Sequence, residues 1–269
     1  MNINIPKNVK FIIDTYYNNN YEAFMVGGCV RDSLLGLKPK DFDITTSALP
    51  EITENLFTKT IPTGIKHGTV TVVIDKENFE VTTYRTEGNY IDNRRPEKVE
   101  FVKDLKEDLS RRDFTINAFA YNDKEGLIDY FNGIDDLKNK VIRAVGDPNK
   151  RFNEDALRML RACYFRAKLG FDIEEKTFNA IKEKASLVKH LNSDCVYKEL
   201  KKIICSKYSL LGLKALNDSS VSNYIPGLSR GIDSYLRFNI NLNDMSLFLA
   251  LCFKDNLDEL SYYKISKAQ

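Results

Sequence analysis

"AFMVGGCVRDSLLGLKPKDFDITT" spans residues 23–46 and decides the fold. Ala23 to Val26 is an apolar run of strand length. It ends at Gly27-Gly28, which permit a tight turn and close backbone approach. Residues 29–36, CVRDSLLG, then predict a short helix stopped by Gly36. Residues 41–46, DFDITT, predict a second strand in which Phe42 and Ile44 alternate with Asp41 and Asp43. Successive side chains of a strand point to opposite faces, so one face takes the apolar pair and the other both carboxylates. Two like charges held side by side are unfavourable unless something positive lies between them.

Working outward, residues 5–19 predict an opening helix, with Val9, Ile12, Ile13 and Tyr16 at helical spacing. TVTVVID (69–75) and FEVTTYR (79–85) predict a β-hairpin closed by the polar residues DKEN. These β-branched strands, separated by helical pieces, make the first half α/β or α+β around one mixed sheet flanked by helices, with α+β as the expected fold class. TEGNYIDNRRPE (86–97) has no periodicity and predicts a loop. DLSRRDFTINAFAYN (108–122) predicts a helix start and then a strand. Beyond about residue 145 strand signals fade, and helical patterns follow at 153–169, 174–188, 196–206 and 244–253. The expectation is an α/β head followed by an all-helical part.

The composition is that of an ordinary globular chain: 269 residues, 43% hydrophobic and 29% charged, with a net charge of only +2. Bulk charge therefore does not announce a nucleic acid. Its distribution is less even: residues 141–215 carry 16 Lys and Arg against 9 Asp and Glu, a local net of +7. A basic segment can face a polyanion, although basic helices are more often solvated faces. None of the five cysteines forms a CxxC pair, which gives no support to a zinc site or a disulfide framework. Two histidines exclude a His-rich metal site. The start, MNINIPKNVK, has no apolar signal core, and MSLFLALCF (245–253) is too short to span a bilayer. A reducing, cytoplasmic location without membrane attachment is expected.

Three groups of residues carry chemistry. The Gly27-Gly28 turn leads into a helix whose first N–H groups attract an anion. Arg31 would fall in the first turn of that helix, where a cation does not help the dipole. A phosphate sharing the site would account for it, and so would a simple pair with Asp32. Asp41 and Asp43 suit Mg²⁺, a hard cation that takes one or two carboxylates together with phosphate oxygens and water. Glu80 sits between apolar Phe79 and Val81, so it points away from the apolar face, and a neighbouring strand would bring it beside the aspartates. Read as one continuous helix, Asp155, Arg158 and Arg161 share about a third of the circumference, with Leu157, Leu160 and Tyr164 roughly opposite. That face is either a salt bridge or a reader of base edges, an Asp acceptor beside Arg donors.

Together, VGGCVRDSLLGLKPKDFDI, RRDFTINAFA and NEDALRMLRACYFRAKLGF, with EVTTYRTEGNYIDNRRPEKVEFV between the first two, resemble the bacterial tRNA nucleotidyltransferase (CCA-adding enzyme) and poly(A) polymerase family of the DNA polymerase beta superfamily. The likeness covers roughly residues 20–170. It implies that Asp41 and Asp43 ligate a catalytic Mg²⁺ with Glu80 as third acid. It implies that Gly28, Arg31 and Arg112 contact the incoming nucleotide, with Gly27 in the same turn, and that Asp113 and Asn117 support the ribose side or the local architecture. It favours the base-reading role for Asp155, Arg158 and Arg161. The 86–97 segment resembles a loop the family uses in switching from CTP to ATP. The implied organisation is a nucleotidyltransferase head (1–145), a helical nucleotide-selecting neck (146–205) and a helical body fragment (206–269).

Two departures stand out. Tyr164 occupies a position where relatives often carry arginine, and core packing is the expectation for it. The chain also stops at YYKISKAQ with only part of the helical body and tail that relatives use to grip tRNA. The function implied is template-independent addition of CCA to tRNA 3′ ends from CTP and ATP. Alternatives are poly(A) synthesis, addition of the terminal A alone, or an RNA-binding remnant without catalysis.

Overall fold

The computed structural model describes residues 3–88, 90–91, 95–96, 99–238 and 243–263. The chain divides into two compact units, Met1–Asn89 with Pro96–Leu137, and Tyr90–Arg95 with Lys138–Gln269.

In the first unit, α1 (Lys7–Asn18) buries the expected stripe Val9, Ile12, Ile13 and Tyr16. β1 (Ala23–Val26) is buried at every position and runs into α2 (Gly28–Leu34). β2 (Asp43–Thr46) follows, then α3 (Pro50–Leu56), β3 (Thr60–Gly64), β4 (Thr69–Ile74) and β5 (Glu77–Thr83). After these comes β6 (Arg85–Glu87); the short pair β7 (Tyr90–Ile91) and β8 (Arg95–Pro96) follows it in the chain, with Tyr90–Arg95 counted in the second unit, and β9 (Val99–Phe101) returns to the first unit and pairs with β6. α4 (Leu105–Ser110), β10 (Phe119–Asn122), β11 (Gly126–Asp129) and α5 (Gly133–Lys138) complete this part.

Seven strands form one sheet in the order β11-β10-β1-β2-β5-β4-β3. β2 and β5 run parallel and every other neighbouring pair is antiparallel, so the sheet is mixed as expected. Phe24, Val26, Tyr84, Leu105, Leu109 and Ala120 pack into a core on one side of it.

Several sequence expectations need correction. β2 begins at Asp43, so Asp41 and Phe42 lie in the approach to the strand rather than within it. The hairpin turn is the two residues Asp75 and Lys76, with φ of 50° and 67°, not the four residues DKEN. Two-residue turns with positive φ match the twist of paired strands. The 86–97 segment is not wholly irregular, since β6, β7 and β8 fall within or against it; residues 89, 92–94 and 97 lie outside the described residues. β3 and β11 carried no strand signal: TIPTG contains proline and glycine, and both strands occupy sheet edges, where burial is weakest.

The second unit is largely helical. β12 (Val141–Ile142) pairs with β13 (Asp172–Ile173) in a small parallel bridge. The helices are α6 (Pro148–Glu154), α7 (Leu157–Leu169), α8 (Glu175–Lys184), α9 (Ser193–Ile204), α10 (Ser209–Asp218), α11 (Leu228–Phe238) and α12 (Met245–Phe253). α10 packs on α7 at Gly212, where an added Cβ would come within 2.7 Å of Ala167 Cβ. Among the described residues no helix is long and apolar enough to cross a membrane.

Candidate functional site

The sheet explains how carboxylates distant in sequence meet. Ile44 pairs with Val81 across the parallel β2–β5 ladder, and both are buried. Asp43 and Glu80 each come one residue earlier, so they stand level on adjacent strands and share the face opposite Ile44 and Val81. Val26, the last residue of β1, pairs with Asp43 from the other side, which brings the Gly27 turn to the same end of the sheet. Asp41 precedes the strand by two residues. All three carboxylates are exposed.

The local field shows that they act as a group. Partial withdrawal from solvent pushes the Asp43 carboxyl above its ordinary range, the Arg112 guanidinium pulls it back, and Glu80 and Asp41 push it up further. Among the described residues, no three His, Cys, Asp or Glu side chains are arranged as a ready metal cage. The donor set is instead the open kind that suits a hard divalent cation, carboxylate oxygens whose mutual repulsion a cation would relieve. Oxygens of a bound phosphate and water would complete its coordination.

Gly27 lies at φ 71°, ψ −125°, a conformation that side chains disfavour. A Cβ there would sit 3.1 Å from Arg112 Nη1 and 3.5 Å from the Asn117 carbonyl oxygen. The bare glycine thus lets Arg112 lie against the turn. Arg112 Nε is buried and has no hydrogen-bond partner among the described residues. Arg31 is the fourth residue of α2, beyond the helix start, and only 3% exposed. Its Nε and Nη2 donate to Asp32 Oδ1 at 2.8 and 2.6 Å, and its Nη1 donates to Asn117 Oδ1. Asn117 Nδ2 in turn donates to Asp113 Oδ1 at 3.0 Å. The pairing of Arg31 with Asp32 is therefore present, and Asn117 links Arg31 to Asp113.

Sequence reasoning missed the residue behind Arg112. Asp108, on α4, has no exposed surface and bonds to Arg111 and Arg112. Burial opposes its charge, but the two guanidiniums hold its carboxyl below the usual range. An acid one turn before a pair of arginines was the available signal.

In the second unit the continuous helix predicted over 153–169 is broken. α6 ends at Glu154, and Asp155 adopts extended angles, φ −136° and ψ 101°. Asp155 Oδ1 accepts from the Leu157 N–H at 3.0 Å, satisfying a donor at the start of α7. The helical register that placed Asp155 beside Arg158 and Arg161 therefore does not hold. Arg158 is 7% exposed, and its Nη1 donates to Glu154 Oε2 at 3.0 Å and to the Arg151 carbonyl at 3.3 Å. Arg161 is half-buried, with its guanidinium 5.4 Å from the centre of the Phe165 ring. Tyr164 is half-buried rather than in the core, and Lys202 Nζ lies 5.5 Å from its ring centre.

The structure thus gathers Gly27, Asp41, Asp43, Glu80 and Arg112 at one end of the sheet, with Gly28 and Arg31 on the adjoining helix. Asp155, Arg158 and Arg161 belong to the second unit.

Comparison with known proteins identifies the family. The family model described as "Poly A polymerase head domain" matches residues 23–143. The model described as "Probable RNA and SrmB- binding site of polymerase A" matches residues 170–231. The CCA-adding enzyme of Ligilactobacillus salivarius is 47% identical over 226 residues, 83% of this chain and 56% of that protein. The crystal structure of the Bacillus stearothermophilus CCA-adding enzyme in complex with CTP superposes with a TM-score of 0.87 at 37% identity, over 96% of this chain and 65% of that one. The Thermotoga maritima CCA-adding enzyme complexed with tRNA matches with a TM-score of 0.77 at 25% identity, over 99% of this chain and 71% of that one. The chain spans little more than half the length of the curated relatives it matches.

Proposed function

The chain belongs to the tRNA nucleotidyltransferase and poly(A) polymerase family, and from that premise we propose that it adds CCA to tRNA 3′ ends from CTP and ATP, without a nucleic-acid template. The observation that carries this reading is the cluster at the end of the sheet. Asp43 and Glu80 stand level on parallel strands with Asp41 beside them, and Arg112 lies against the glycine turn. Such a site suits a triphosphate together with a divalent metal. The names of the relatives favour CCA addition over the alternatives.

In this reading the RNA 3′ hydroxyl attacks the α-phosphate, a new phosphodiester forms, and pyrophosphate leaves. Asp41 and Asp43 would hold Mg²⁺, with Glu80 as third acid. When bound, Mg²⁺ would supply charge neutralisation on the triphosphate and a lowered pKa for the attacking hydroxyl. Arg112 offers a guanidinium with a buried Nε to the phosphates. Gly27 and Gly28 keep side chains out of the turn, and Arg31 is held by Asp32 and Asn117 at the side of the nucleotide. Catalysis would then be positioning and electrostatic stabilisation. Asp155, Arg158 and Arg161 are assigned to base selection in a neck covering 146–205, between a catalytic head (1–145) and a body fragment (206–269). Five free cysteines fit a reducing, cytoplasmic setting.

The test supplies tRNA lacking its CCA end, with Mg²⁺ and CTP, ATP or both, and sequences the products. CCA followed by a stop is expected. A long A tail would identify a poly(A) polymerase, and ATP use only on tRNA ending in CC an A-adding enzyme. Asp41→Ala is expected to abolish incorporation while tRNA binding persists. An Asp41→Ala protein that still adds nucleotides would remove Asp41 from the catalytic set.

A further inference from the structure

Asp108 presents a buried carboxylate whose two oxygens serve different parts of the first unit. Oδ1 accepts from Arg111 Nη2 at 2.6 Å, from Arg111 Nε at 3.1 Å and from the backbone N–H of Arg85 at 3.3 Å. Oδ2 accepts from Arg112 Nη2 at 3.3 Å and lies 3.3 Å from Thr45 Oγ1. Of the first set, Arg85 belongs to β6, the strand that opens the 86–97 segment, and Arg111 follows α4 and is itself bonded to Arg85 and Glu87 of that strand. The second belongs to the site: Arg112 lies against Gly27, and Thr45 is two residues along β2 from Asp43. The β6 side is tied again through Glu87. Glu87 Oε1 accepts from Arg111 Nη1 at 3.0 Å and from Arg85 Nη2 at 3.2 Å, and Arg111 Nε also donates to the Arg85 carbonyl at 3.1 Å. Arg85 Nη1 reaches back to the His67 carbonyl, before β4.

An isolated buried carboxylate is unfavourable, and one paired with two guanidiniums persists only where the geometry is specified on every side. Here adjacent arginines diverge from one carboxylate, Arg111 toward β6 and Arg112 toward the glycine turn. We infer that Asp108 is a positioning residue that couples the β6 end of the 86–97 segment to the nucleotide-facing Arg112. It touches no substrate itself. A shift of β6 would be felt at Arg112 through a single side chain, because Oδ1 and Oδ2 belong to one rigid group. This inference rests on the nucleotide-adding reading for the role of Arg112, but the coupling itself can be measured by binding.

Three substitutions test it. Asp108→Asn keeps the shape and removes the charge and one acceptor. It is expected to raise KM for both CTP and ATP by about tenfold, in keeping with the loss of a charge-assisted hydrogen bond, with a smaller fall in kcat. A fold defect alone would reduce the active fraction and hence apparent kcat, leaving KM where it was. Glu87→Gln touches only the β6 side. It is expected to raise hydrogen exchange at residues 85–88 and also to raise KM by about two- to threefold. Arg111→Lys, which cannot bridge Asp108 and Glu87 as a fork, is expected to do the same; these two variants carry the test if Asp108→Asn does not fold. Unchanged KM in Glu87→Gln and Arg111→Lys, with exchange at 85–88 raised, would overturn the coupling. Should the wild-type chain incorporate nothing, the function proposed above fails, and the coupling is then read from the equilibrium Kd for CTP with the same variants and the same expected shifts. A Kd that no variant moves would overturn it.

Discussion

Gly27 shows how one residue can serve backbone and chemistry together. Its φ of 71° is disfavoured for any residue with a Cβ, and the place a Cβ would take is 3.1 Å from Arg112 Nη1. Gly27→Ala therefore meets two penalties. Backbone strain of about 1–3 kcal/mol should lower the urea midpoint, and displacement of Arg112 should raise KM for both nucleotides. A stability loss with KM unchanged would mean that Arg112 is not held by the turn. Arg31 teaches the opposite lesson. Its position in the sequence suggested a cation waiting for phosphate, yet Asp32 and Asn117 already engage it. Which arginine faces the nucleotide is thus a question of burial and partners, which neighbouring letters do not reveal.

Among the elements, the junction of α6 and α7 separates a structural role from a functional one. Asp147 caps α6 and Pro148 starts it, whereas Asp155 interrupts the helical run and accepts from Leu157 N–H. Asp155→Ala is expected to lose about 1 kcal/mol as a lost cap and, on the proposed base-reading role, to relax the choice of C and A over G and U. Asp155→Asn keeps a capping oxygen and removes the carboxylate charge. It should retain stability in urea titration while still relaxing nucleotide choice in a four-nucleotide competition. Selectivity preserved in both variants would confine Asp155 to capping. The same junction explains why a continuous-helix reading of 153–169 failed. Local periodicity ran through it without a break, and only the side-chain bond to the backbone decides where one helix stops.

For the whole molecule, charge is the property that sequence and structure state together. The net charge of +2 conceals a local +7 over residues 141–215, within the second unit. If this stretch holds RNA through phosphates, log affinity for tRNA should fall linearly with log salt concentration, with a slope near the number of phosphates neutralised. Filter binding from about 50 to 200 mM salt measures it. A flat response would exclude a phosphate-dominated grip.

The α+β class, the mixed sheet, the opening helix with its buried stripe and the order of the chemistry-bearing motifs were legible in the sequence, because each rests on period-2 or period-3.6 patterns or on short runs of particular residues. The edge strands β3 and β11 were not, because little of their surface is buried and little pattern is needed. The level pairing of Asp43 with Glu80 was only half legible. Phe79 and Val81 showed which way Glu80 points, but the parallel β2–β5 register that sets the two acids side by side is a long-range choice. Asp108 was only faintly legible: its place one turn before Arg111 and Arg112 was a signal, but its burial comes from the sheet and β6 closing around it. The sequence by itself determined which groups are present and in what order along the chain. The tertiary structure alone decided which of them share one charged neighbourhood, because desolvation and Coulomb energies depend on distance through space and not on separation along the chain.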